Sequence, residues 1–156
     1  MMRDGLYATY RTESEWARKV VAGDPGLSTE GGMVVGYYRQ NGTLFLADME
    51  LLGEGGRLEC SLVCDSGMLI VAKERWHLYN RPFYWDEATA KEYGDDEFFD
   101  PVKTEVRGRT VYFDRSNIVC IEHTGTDDQF WPHPEQLLDM LDRVEAILKE
   151  ADTTGT

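Results

Sequence analysis

Residues 33 to 73 read MVVGYYRQNGTLFLADMELLGEGGRLECSLVCDSGMLIVAK, and this stretch decides the fold. Met33–Gln40 and Thr43–Leu52 flank Asn41-Gly42. That dipeptide is a strong hairpin signal, because both central positions of a type I′ turn need φ > 0, and Asn and Gly reach it at little cost. Gly53-Glu54-Gly55-Gly56 supplies the next reversal. Arg57 to Cys64 then alternates, with Leu58, Cys60, Leu62 and Cys64 on one face and Arg57, Glu59 and Ser61 on the other. Asp65-Ser66-Gly67 turns the chain into Met68–Lys73. Four strands joined by such short turns fit an antiparallel meander with one packed face and one wet face.

Upstream, Gly5–Arg11 reads as a short strand. Thr12 with Glu15 forms a capping box that opens a helix carrying Trp16 and Val20, closed by Gly23-Asp24-Pro25-Gly26. Downstream, Val102–Val106 and Arg109–Phe113 read as strands linked by Arg107-Gly108, and Asp114-Arg115-Ser116-Asn117 turns into Ile118–His123. A final helix opens near Pro134 with Leu137, Leu141, Val144 and Leu148 as its apolar stripe and Asp139, Asp142, Arg143 and Glu145 on its wet side. The expected fold is α+β: mainly antiparallel sheet of about seven strands, an N-terminal helix after strand 1, and a C-terminal amphipathic helix packed on the sheet. Residues 1–150 form a single domain, and residues 151–156 a disordered tail.

Composition narrows the functional classes. A hydrophobic content of 42% in 156 residues excludes a disordered chain. Sixteen Lys and Arg against 29 Asp and Glu leave a formal net charge of -13. That field repels phosphate backbones and anionic lipid and favours a basic protein partner. No run of about 18 apolar residues exists to span a bilayer. Three cysteines at irregular spacing, Cys60, Cys64 and Cys120, suggest no disulfide framework, so a cytoplasmic location is expected.

No reaction announces itself. Gly53-Glu54-Gly55-Gly56 and Gly31-Gly32 lead into strands, whereas a phosphate loop must open a helix. Cys60 and Cys64 on one strand stand about 13 Å apart, too far to share a metal ion, and they sit with Leu58 and Leu62 on the packed face. His123 and His133 could meet across a loop, but Cys120 and Glu122 point away from His123 along a regular strand. No Gly-x-Ser-x-Gly elbow occurs. No catalytic residue, cofactor or metal ligand is indicated.

The segment from Trp76 to Pro101 breaks the strand rhythm, with a short helix expected from an Asp86 cap to Gly94. Its rings alternate with acids, and Trp85, Tyr93, Asp95, Asp96, Glu97, Phe98, Phe99 and Asp100 form the candidate partner-binding surface. Aromatic side chains supply binding hot spots, and charge steers a basic partner. The leading expectation is therefore a non-enzymatic protein-binding module of the inhibitor, immunity or counter-defence type. A second is a small-ligand protein or enzyme with a pocket between sheet and C-terminal helix, lined by Tyr37, Tyr38, Trp76, His77 and Tyr112. A third is a nucleic-acid binder acting through Lys103, Arg107, Arg109 and Arg115 in the Arg107–Arg115 hairpin, a reading the overall charge disfavours.

Overall fold

The alternation in the sequence translates into seven antiparallel strands in the order of the chain, in a computed structural model that describes residues 18–23, 26–124 and 131–154. They are β1 (Arg18–Gly23), β2 (Gly32–Tyr38), β3 (Leu44–Gly53), β4 (Gly56–Asp65), β5 (Met68–Leu78), β6 (Glu105–Asp114) and β7 (Asn117–His123). A six-residue helix, α1 (Glu87–Glu92), and a 3₁₀ turn (Pro101–Lys103) lie in the crossing from β5 to β6. Helix α2 (Gln136–Thr154) closes the described chain.

Register assigns each residue to a face. On one face, Gly36, Ala47, Leu62, Ala72 and Val111 lie side by side across β2 to β6. Leu137, Leu141, Val144 and Leu148 of α2 pack on this face, which forms the main core with Val34, Met49, Leu58 and Cys60. The closest approach is at Gly36, where a Cβ would stand 2.5 Å from Leu148 Cδ1. Only a residue without a side chain lets α2 settle so near the strand.

On the other face, Leu46, Val63, Val71 and Tyr112 form a second, smaller apolar cluster with Phe45. Register shifts at Tyr37/Tyr38, Val63/Cys64 and Tyr112/Phe113 mark bulges near the same end of the sheet. Each inserts an extra residue. That explains why Leu44 to Ala47 are buried without interruption, where a regular strand would alternate.

Several expectations need correction. Arg18–Gly23 is strand β1, paired with β2, and not the continuation of an N-terminal helix. The forecast strand Gly5–Arg11 and the Thr12–Glu15 capping box lie outside the described residues. Val102–Val106 and Arg109–Phe113 are not two strands: β6 runs unbroken through Gly108, and Pro101–Lys103 is a 3₁₀ turn. β5 continues past Lys73 to Leu78, so Trp76 and His77 belong to the sheet. Ala151–Thr154, expected in a frayed tail, completes α2, where Asp152 takes Arg18 at 2.5 Å. The C-terminal helix stripe and the Asp86-capped α1 match the sequence reading, with Thr89 N donating to Asp86 at 2.8 Å.

The turns also differ in kind. At Arg39–Thr43 Gly42 N donates to Arg39 O, Gly42 has φ 87°, and Asn41 does not have a positive φ. That is a type I turn followed by a left-handed glycine. Paired positive φ values occur instead at Ser66-Gly67 and at Arg115-Ser116.

Candidate functional site

Between β5 and β6 the chain leaves the sheet and makes an ordered excursion organised around one carboxylate. Asp95 receives Arg81 through Nε at 2.8 Å and Nη2 at 3.2 Å, the Trp85 indole N–H at 3.0 Å and its own neighbour's amide, Glu97 N, at 3.0 Å. These donors hold its carboxyl well below the usual carboxylate range, with the Arg81 hydrogen bond the largest cause. Glu97 joins the network at Arg81 Nη1 (3.2 Å) and Lys103 Nζ (2.9 Å), and its pKa is lowered mainly by Lys103.

Backbone bonds tie the excursion to the sheet. Tyr79 N and Phe83 N donate to Gly55 O and Glu54 O of the β3–β4 turn, and Phe99 N donates to Trp85 O at 2.7 Å. Asn80 bridges the two ends, donating to Phe98 O at 2.9 Å and accepting from Asp100 N at 3.0 Å. Asp100 in turn caps the 3₁₀ turn through Val102 N. A loop held by so many bonds keeps one conformation, so its side chains are presented without a large ordering cost on binding.

Rings decorate this frame. Trp85 stacks on Tyr93 with centroids 5.4 Å apart, Phe83 meets Tyr84 edge-on at 5.5 Å, and Tyr79 meets Phe99 edge-on at 5.1 Å. Trp85 and Phe99 are partly buried and act as struts. Tyr93 is 70% exposed, Tyr84 51%, Phe83 48% and Phe98 42%. Seven carboxylates and three cations lie between Tyr79 and Thr104. Arg81, Lys91 and Lys103 are all engaged with acids of the segment. Glu92 and Asp96 are exposed and carry no ion pair among the described residues.

The eight residues singled out from the sequence thus divide by task. Asp95, Glu97 and Asp100 are internal fasteners, with Trp85 and Phe99 beneath. Tyr93, Asp96 and Phe98 face outward. The sequence reading named Lys103 but not Arg81, 14 positions before Asp95, which the structure joins to the consecutive acids. It also missed the exposed Phe83 and Tyr84, whose only signal was their place in the ring-rich run.

The five residues of the alternative pocket do not assemble. Tyr38 and Trp76 lie on the α2 face with the main core, whereas Tyr37 and Tyr112 belong to the cluster on the opposite face. His77, 8% exposed, is also on that opposite face, with Nε2 3.2 Å from Glu59 Oε1. The space between sheet and helix is filled by the core. A cavity of about 1020 Å³ instead occupies the opposite face, bordered by Met33, Glu50, Ser61, Arg75, Gly108 and Glu122 among others.

The basic hairpin is not a patch either. Arg109 is buried, bonded to Glu74 at 2.5 Å and to Pro132 O at 2.7 Å, with its guanidinium 5.0 Å from the Trp131 ring centroid. Arg107 bonds Glu105 at 2.8 Å, and Lys103 is engaged by Glu97. His133 pairs with Glu135. Among the described residues no three His, Cys, Asp or Glu gather as a metal site, and no helix is long and apolar enough to cross a membrane.

Comparison of the chain with protein-family models, curated proteins and solved structures finds no match.

Proposed function

We propose that this chain is a protein-binding module that docks on a basic partner through the Tyr79–Thr104 excursion, with a neutralising inhibitor as the fitting role. The observation that carries the reading is the exposure of Tyr93 and Phe98 on a loop fastened internally at Asp95. Large rings held in place lose little rotamer entropy on binding, which is the property of interface anchors. Glu92 and Asp96 beside them add steering for a positive surface, and the net charge of -13 extends that field over the molecule. Asp95 and Glu97 contribute by shaping the loop rather than by touching the partner.

Affinity capture from host lysate with three forms of the chain tests it: wild type, Tyr93→Ala/Phe98→Ala, and Glu92→Lys/Asp96→Lys. The expected result is a basic protein retained by the wild type and lost by both variants. Identical captures by all three forms would remove the loop from the account. Each anchor ring is expected to be worth on the order of 2 kcal/mol at the interface.

A further inference from the structure

The cavity on the face opposite α2 has an ordered sequence of surfaces set by the strands. Along one register row Met33 of β2, Glu50 of β3, Glu59 of β4, Arg75 of β5 and Gly108 of β6 follow one another. The neighbouring row reads Val35, Asp48, Ser61, Lys73, Thr110 and Glu122. The lining therefore passes from apolar at β2, through acidic at β3 and β4, to basic at β5.

Some of these charges are already met within the sheet: Arg57 Nη1 lies 3.9 Å from Glu50 Oε2, and Ser61 donates to Asp48 at 2.6 Å. Glu59 stands directly opposite Arg75 yet turns to Arg57 at 2.9 Å and to His77. Arg75 is exposed and has no ion pair among the described residues. Its other neighbour is Gly108, where a Cβ would find nothing nearer than Glu74 O at 3.8 Å. The missing side chain leaves room beside the guanidinium.

We propose that this cavity binds short peptides as zwitterions, with the carboxylate on Arg75, the ammonium on Glu50 and an apolar N-terminal side chain against Met33 and Val35. Strands lie about 4.8 Å apart, so Glu50 on β3 and Arg75 on β5 are about 10 Å apart at the backbone. An extended chain covers about 3.3–3.6 Å per residue, which makes a tripeptide the matching length. A volume of about 1020 Å³ accommodates such a ligand. A purely anionic ligand would meet Asp48, Glu50 and Glu59, and a purely cationic one would leave Arg75 unused. Only a molecule with both charges, in the right order, satisfies the row.

Isothermal titration calorimetry with the tripeptide Leu-Ala-Gly, its N-acetyl form and its C-amide form tests this. The free tripeptide is expected to bind saturably, and each blocked form roughly tenfold or more weakly, the usual consequence of removing a charge-assisted contact. Arg75→Gln should weaken the free tripeptide but leave the C-amide form unchanged, whereas Glu50→Gln should spare the N-acetyl form. Gly108→Leu, with thermal unfolding as the check on folding, should abolish binding of all three by filling the space. Equal binding of blocked and free forms, or no saturable heat with any of them, overturns the proposal.

Discussion

The Trp85 indole N–H donates to Asp95 Oδ2 at 3.0 Å while Arg81 grips the same carboxylate through two nitrogens. Trp85 and Arg81, which both precede α1, are thus locked on an acid that follows it. Asp95→Asn removes the charge that orders both. The expected outcome is a shifted Trp85 indole resonance and faster amide exchange from Phe83 to Lys103, with the sheet amides unaffected. Unaltered exchange in that segment would show that the loop does not depend on Asp95.

Acid should leave this network standing longer than ordinary carboxylates. Asp95 and Glu97 are both depressed in the folded chain. Their stabilising contribution is therefore complete above the unfolded values, about 3.9 and 4.3, and is lost as pH falls through the lower folded values. The Trp85 indole signal is expected to hold from pH 7 to about 4 and to change only in stronger acid. A midpoint above pH 4.5 or so would contradict the Arg81 and Lys103 pairing.

Gly36→Ala places a methyl where Leu148 Cδ1 already stands, 2.5 Å from the added carbon, and Leu148 is fully buried. Helix and strand must separate or Leu148 must leave its rotamer. A loss of about 1–3 kcal/mol in chemical unfolding is expected, as for other overpacked cores. Leu148→Ala in the same background should recover part of it; a neutral Gly36→Ala would mean that α2 packs elsewhere.

Glu74 and Arg109 form an ion pair with side chains 6% and 3% exposed. Removing one partner leaves a charge without water or counterion, so Glu74→Ala should cost about 3–5 kcal/mol. The double variant Glu74→Leu/Arg109→Met should cost less than the single one, since no orphan charge remains. A double-mutant cycle by urea unfolding reads this directly, and additive losses would contradict a coupled buried pair.

The cysteines divide by environment. Burial pushes the Cys64 thiol up to about 12 and raises Cys60 well above its ordinary value, whereas Cys120 is only partly buried. A maleimide or dithiobis reagent at pH 8 should label Cys120 in the native chain and spare the other two until unfolding. Rapid labelling of all three would place Cys60 and Cys64 outside the core.

The meander was legible because the apolar period of two is interrupted only by glycine-rich turns, and a strand so bounded has little choice of neighbour. The α2 stripe was legible for the same kind of reason. What escaped depended on contacts distant in sequence. Val20 and Ala22 of β1 are spaced for a strand, yet Trp16 and Val20 are spaced for a helix, and six residues cannot decide between the two periods. Gly108 looked like a turn because a strand interior disfavours glycine, but here it lies within the β5–β6 ladder beside the cavity. The Asn41-Gly42 pair fixed the position of a hairpin but not its turn type. At the candidate site, composition located the segment and could not tell fasteners from display: Asp95 and Asp96 are adjacent and identical, and the donors that reach Asp95, Arg81 and Trp85 among them, separate their tasks.

Deuterium exchange of the backbone amides of Phe83, Trp85, Glu97 and Phe99, free and with the captured partner, tests the docking account most directly. Strand-like slow exchange in the free chain, slowed further across Phe83 to Asp100 by the partner, is the predicted result. Coil-like exchange in the free chain, or partner protection confined to the sheet and α2, would contradict it.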